Sequence, residues 1–200
     1  MAKKNTRNTK GKIISAAWRL FYEQGYDDTT VDEIVEESGT SKGSFYHYFD
    51  GKDALLSSLS FLFDEKYEEL KPKLNDEDPA IEKLVYLNQE LFLMIENSIS
   101  VDLLSRLFSS QLITRGARHL LDQDRTYYKL TRAILQQGQT RNELRSDLSI
   151  NEIVKTYAML ERGMMYDWCL CNGDYSLAQY SRSVLPMMLE IYKNTDLNQK

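Results

Sequence analysis

The side chains best equipped to contact another molecule crowd into one stretch, residues 29–52, TTVDEIVEESGTSKGSFYHYFDGK. It offers hydroxyls (Thr30, Thr40, Ser41, Ser44), ammonium groups (Lys42, Lys52), two phenols (Tyr46, Tyr48) and an imidazole (His47) around a glycine, Gly43. Hydroxyls and ammonium groups close to a residue without a side chain suit hydrogen bonding to base edges and phosphates rather than covalent chemistry. Catalytic patterns are missing. The chain has only two histidines, His47 and His119, and no HExxH, GxSxG, CxxC or phosphate-cradling glycine loop. No enzyme, cofactor or metal is therefore expected. Cys169 and Cys171 lie two apart, about 200° around a helix from each other, and are expected as free thiols.

The elements that must position these groups are helical. Ile13, Ala17, Leu20 and Phe21 share one face of a helix over Lys10–Gln24, which stops at Gly25, with Tyr26 folding back as its hydrophobic contact. Thr30 and Glu33 have capping-box spacing and start a short helix from Val31 to about Ser38. Gly39 suits the tight turn that follows, and Ser41 caps a third helix, Lys42 to about Phe49. Phe45 and Phe49, at i and i+4, should pack inward and leave the polar N-terminal half free. Asp50 is expected to cap a fourth helix with Lys52 in its first turn as a phosphate clamp, running to about Pro72. The helix starts at Thr30, Ser41 and Asp50 add backbone N–H groups that favour phosphate. This is the geometry of a helix-turn-helix, motif about 30–49, with a recognition helix whose start approaches DNA.

Charge agrees with that reading. Residues 1–12 carry Lys3, Lys4, Arg7, Lys10 and Lys12 without an acid, while residues 1–52 balance eight basic against eight acidic side chains. The net charge of −5 therefore lies in the remainder, giving a basic tip on an acidic body. No apolar run approaches a membrane span and the first residues are polar, so a cytoplasmic protein without membrane contact is expected.

Ala16, Leu20-Phe21, Gly25-Tyr26, Thr29-Thr30, Ile34, Ser38-Gly39, Ser41-Lys42-Gly43, Phe45-Tyr46-His47-Tyr48-Phe49 and Lys52-Asp53-Ala54-Leu55 together closely resemble the TetR family of bacterial repressors. The resemblance implies phosphate contacts at Thr30, Tyr46, His47 and Lys52. It places Thr40, Ser41, Lys42, Gly43 and Ser44 near the bases. It departs at Thr40, Val35 and Ser38, where the family usually has Val, Ala and Ala, and at Asp50-Gly51, which adds a negative charge beside the clamp lysine. The implied fold is all-α, with about nine helices. A DNA-binding domain spans 1–55, with an arm over 1–10, and a regulatory domain spans 56–200. The implied function is a dimeric regulator, most readily a repressor released from a palindromic double-stranded operator by a small apolar or aromatic effector. The rivals are a helix-turn-helix protein governed by a protein partner, and a helical ligand carrier or enzyme.

Beyond the break at 72–79, helices are expected over 80–97, 101–114, 119–141, 150–171 and 176–193, with Ser149 and Glu152 as a second capping box. Pro186 lies inside the last one and should kink it or mark a loose turn. Ile150, Ile153, Val154, Tyr157, Met164 and Trp168 form a stripe that Glu161 interrupts, either as a structural acid, partly exposed or paired with a cation such as Arg162, or as a polar anchor in an effector cavity or at the dimer seam. Candidate pocket residues are Phe92, Phe108, Tyr128, Tyr157, Glu161, Met164 and Trp168. Candidate dimer contacts are Gly163, where helices could approach closely, and Tyr180, Val184, Met188 and Ile191.

Overall fold

The computed structural model describes residues 2–194 apart from 114, 116 and 117, and the side chains of 2–8 and 57 lie outside that description. The side chains of Lys3, Lys4 and Arg7 in the basic arm are thus outside the described residues. The described residues form nine α-helices joined by short 3-10 segments, with no strand beyond an isolated bridge between Leu144 and Lys193. The helices are α1 (Ala2–Gln24), α2 (Val31–Ser38), α3 (Lys42–Tyr48), α4 (Leu59–Leu70), α5 (Ala80–Ser98), α6 (Val101–Ile113), α7 (Thr126–Thr140), α8 (Ile150–Leu170) and α9 (Leu177–Leu189). They divide into two compact units, one of residues 1–62 with 98–120, the other of 63–97 with 121–200.

In the first unit, Ile13, Ala17 and Phe21 of α1, Ile34 of α2, Phe45 of α3 and Leu103, Leu104 and Leu107 of α6 are all buried. The helix expected from Lys10 begins at Ala2. Asp50 does not cap the fourth helix. Gly51 precedes a 3-10 segment, Lys52–Ser58, that has no side-chain cap. A 3-10 turn holds three residues, so Lys52, Leu55 and Ser58 fall in one line. Lys52 reaches back to the 26–29 loop, Leu55 enters the core, and the Ser58 hydroxyl accepts the Trp18 indole N–H at 3.0 Å.

In the second unit the core is built from Phe63 and Tyr67 of α4, Leu84, Leu87, Leu91 and Phe92 of α5, Ile134 and Leu135 of α7, Ile153, Val154 and Tyr157 of α8, and Leu177, Leu185 and Leu189 of α9. The helix expected over 119–141 is broken at 122–125, where the Asp124 N–H turns back to the Asp122 carboxylate at 2.9 Å. Arg125, from that break, pairs with Asp64 at 2.9 Å, and Asp64 also accepts the Tyr127 N–H, fastening α7 to α4. Ser149 and Glu152 form the expected capping box on α8. Pro186 is held inside α9, and the chain tightens into a 3-10 turn at Glu190–Tyr192 just after it. Gly138 of α7 is a close-approach point: a Cβ there would lie 2.6 Å from the Ala80 Cβ and 2.9 Å from Leu144 Cδ1.

Candidate nucleic-acid interface

The turn between α2 and α3 follows from local chemistry. Thr30 and Glu33 complete a reciprocal capping box, with the Glu33 N–H on the Thr30 hydroxyl at 3.2 Å and the Thr30 N–H on the Glu33 carboxylate at 2.7 Å. The Thr30 backbone N–H, and then its hydroxyl, hold that carboxyl below the usual range. Gly39 ends α2 in the left-handed region, φ 60°, so the chain reverses within two residues. Ser41 then caps α3, accepting the Ser44 N–H at 3.1 Å.

The seven residues of α3 sort by face. Phe45 is fully buried, and its ring lies 5.8 Å from that of Phe49. Lys42, Gly43, Tyr46 and His47 are exposed, and the spacings 42/46 and 43/47 set them on one side of the helix. Tyr46 is 56% exposed, and a Cβ on Gly43 would meet only the Ser41 hydroxyl, at 3.8 Å. Lys42 pairs with Asp32 of α2 at 2.7 Å, and hydrogen bonding to that carboxylate raises the ammonium pKa. Both groups are more than half exposed, so a phosphate can exchange for the aspartate at little cost.

Two of the sequence-derived contacts are engaged within the domain. The Thr40 hydroxyl sits 2.7 Å from that of Ser38 and is half-buried. Lys52 donates to three backbone carbonyls, those of Tyr26 (2.6 Å), Thr29 (2.9 Å) and Asp27 (3.2 Å). Its ammonium also lies 4.4 Å from the centre of the Tyr26 ring. The geometry makes Lys52 a clamp on the loop entering α2.

Sequence reasoning missed the rest of that clamp. The Tyr26 hydroxyl donates to Asp53 in a short hydrogen bond; burial and then Asp53 push its pKa up. Tyr26 also packs on Phe21, ring centres 4.9 Å apart, as its place after Gly25 suggested. Arg106 of α6 donates to Asp27 at 2.7 Å and lies 4.9 Å from the Tyr26 ring centre. Asp27 and Arg106 are 79 residues apart, beyond the reach of any local pattern.

The pocket candidates separate. Phe108 belongs to the first unit, the other six to the second. Glu161 is not paired with Arg162, whose guanidinium donates to the Tyr128 hydroxyl at 3.3 Å. It accepts instead from the Tyr127 hydroxyl at 2.6 Å and Asn88 Nδ2 at 2.9 Å, while the nearby Tyr157 hydroxyl donates to the Leu84 carbonyl at 3.0 Å. Burial pushes its carboxyl pKa up, against those hydrogen bonds. Phe92, Met164 and Trp168 are buried, and the Trp168 indole donates to the Tyr175 carbonyl at 2.8 Å. Cys169 and Cys171 form no disulfide among the described residues and are half-buried rather than buried.

A short helix, a glycine turn and a second helix with one packed aromatic face and one bare polar face define a helix-turn-helix DNA-binding domain. The sequence profile described as bacterial regulatory proteins, tetR family, matches residues 13–59, the whole of that motif and its flanks. Over this domain the chain is similar to the TetR family. An uncharacterized HTH-type transcriptional regulator in the lacX 3' region of Lactococcus lactis subsp. lactis is 50% identical over 48 residues, 24% of each chain. The HTH-type transcriptional regulator QacR of Staphylococcus aureus is 33% identical over 98 residues, 46% of this chain and 52% of that one. The chain thus matches between a quarter and a half of the length of these curated relatives. Beyond the motif the likeness is one of fold. The crystal structure of the transcriptional regulator FadR from Bacillus subtilis, in complex with stearoyl-CoA, covers 91% of this chain and 98% of its own, with a TM-score of 0.69 and 21% identity. No described helix is long and apolar enough to cross a membrane.

Proposed function

We propose that this protein is a sequence-specific, DNA-binding transcriptional regulator that represses from a palindromic operator and is released by a small-molecule effector. The observation that carries the reading is the bare edge of α3. Lys42, Gly43, Tyr46 and His47 stand exposed while Phe45 and Phe49, on the opposite side, fix the helix to its domain. Ser41, Lys42, Gly43 and Ser44 approach the bases, and Tyr46 and His47 contact phosphate. Thr30 orients the α2 N-terminus toward the backbone. Lys52 acts through the loop it clamps.

DNA reading is assigned to residues 1–55, regulation and dimerisation to 56–200. The dimer reading is supported by an apolar stripe on two neighbouring helices. Met159, Tyr166 and Leu170 of α8 are exposed alongside Gly163, as are Tyr180, Met187 and Met188 of α9 and Ile191 just beyond it, with Val184 half-exposed. Met187 alone is 72% exposed. Such faces match a four-helix contact between two copies. Two copies would set two α3 helices in successive major grooves, about 34 Å apart. Effector binding is assigned to the second unit around Glu161 and Tyr157. The cytoplasm is the compartment where such a protein meets DNA.

The test is selection of duplexes from a random pool by the purified protein across a salt series. The reading expects an enriched palindrome bound by two protomers with steep salt dependence. Recovery of no sequence, even at low salt, would overturn it.

A further inference from the structure

The effector assignment leaves open what chemistry the second unit recognises, and the surroundings of Glu161 answer it. Glu161 is 3% exposed, and Arg162 acts on it through space without forming an ion pair among the described residues, its guanidinium donating to the Tyr128 hydroxyl. A carboxylate in such a place is costly unless a cation joins it. Three phenol rings gather around it: Tyr67 and Tyr127 have ring centres 5.3 Å apart, Tyr127 and Tyr157 6.4 Å apart. Two polar atoms beside this network, the Tyr67 hydroxyl and Asn88 Oδ1, are buried without a hydrogen-bond partner among the described residues, although Asn88 spends its amide donor on Glu161. Buried polar atoms are paired in the great majority of cases, and a group of orphans at one place marks a missing partner. The partner must donate, because Asn88 Oδ1 and a carboxylate only accept.

Resting on the reading of the second unit as an effector domain, we infer that its ligand is a primary ammonium on an apolar body, the ammonium head bonded by Glu161, Asn88 Oδ1 and the Tyr67 hydroxyl. An ammonium has three N–H donors and no acceptor, which matches those three oxygens. The tyrosine ring faces favour a cation once it is desolvated. The buried residues that flank Asn88 on α5, Leu84, Leu87, Leu91 and Phe92, are hydrocarbon and aromatic, the chemistry that an apolar body requires. A carboxylate or acyl-phosphate head would instead set like charge against Glu161.

The experiment is calorimetric titration of the full chain, wild type and E161Q, with matched n-alkyl and phenylalkyl amines, alcohols and carboxylates of graded length. Gln keeps the shape and one acceptor oxygen for Asn88 Nδ2, its amide donating to the Tyr127 hydroxyl where the carboxylate accepted, and a cooperative circular dichroism melt at or above that of the wild type verifies that the variant folds. Amines should bind the wild type, and E161Q should weaken them about tenfold or more while leaving the alcohols unchanged. Y67F should weaken amines more than alcohols. Failure of every amine to bind, tighter binding of the carboxylates, or equal amine binding by E161Q would overturn the inference. Release from a selected duplex is followed in parallel. Release by an alkanoate or acyl thioester but by no amine defeats the cation and leaves the effector reading standing. Amine binding sensitive to E161Q, without DNA release, supports the ammonium site and defeats the effector reading.

Discussion

Polar side chains in the two units are used in opposite ways. In the first, Thr30, Ser41 and Lys42 stand at the surface, satisfied by neighbours three to ten residues away, through bonds that a phosphate or base can replace. In the second, Asn88, Tyr127, Tyr157 and Glu161 come from three different helices and meet inside a hydrocarbon core, where Asn88 Oδ1 remains unpaired. In the proposed function the surface set meets a charged polymer through exchangeable contacts that salt weakens. The buried set suits a small ligand, because a mismatch there leaves unpaired groups in a medium of low polarity. On that proposal one chain separates a tolerant electrostatic reader from a stringent chemical one.

Substitutions that remove the scaffold beneath each set test this contrast most severely. Phe45→Ala should cost about 3–5 kcal/mol and abolish DNA binding, because Phe45 is what holds the bare edge of α3 in place; chemical denaturation with a DNA-binding assay measures both. Gly138→Ala forces a methyl against Ala80 and Leu144 and should cost about 1–3 kcal/mol, read by the same denaturation curve. Thr30→Ala removes one half of the capping box and should cost about 1 kcal/mol.

Two smaller effects sharpen the comparison. For Glu161, burial raises the folded pKa above the unfolded one, so the native state holds its proton more tightly. Its contribution is favourable below the unfolded value and is lost as pH rises from there through the folded value. E161Q should therefore gain stability relative to the wild type as pH rises from about 4.5, near the unfolded glutamate pKa; denaturation midpoints across pH measure it. Lys42→Ala should lower the salt slope of DNA binding by roughly 1. Lys52→Ala should weaken binding with the slope unchanged, since its ammonium holds three backbone carbonyls. Equal slope changes in both variants would reassign Lys52 to phosphate.

The sequence was most legible where structure is made locally. Both capping boxes, the left-handed Gly39, the inward Phe45–Phe49 pair and the all-helical architecture rest on spacings of a few residues. It was least legible where distant segments decide. The return of α6 to the first unit leaves no periodic trace, nor do the Arg106–Asp27 pair and the Gly138–Ala80 approach, 79 and 58 positions apart. Lys52 shows the same limit in a single side chain. Its type and place suggested phosphate, but three carbonyls brought close by the turn after α1 claim the ammonium first. Glu161 was visible as an interruption of an apolar stripe. Its partners were not, since Asn88 and Tyr127 come from other helices.

The central claim is that the bare edge of α3 reads DNA. The most direct measurement is hydroxyl-radical footprinting on a selected duplex with the wild type and with a Lys42→Ala/Tyr46→Ala double variant, both positions being exposed. The account predicts two protected segments about one helical turn apart, related by a dyad, and their loss in a variant that still melts like the wild type. An unchanged footprint from the double variant would contradict it.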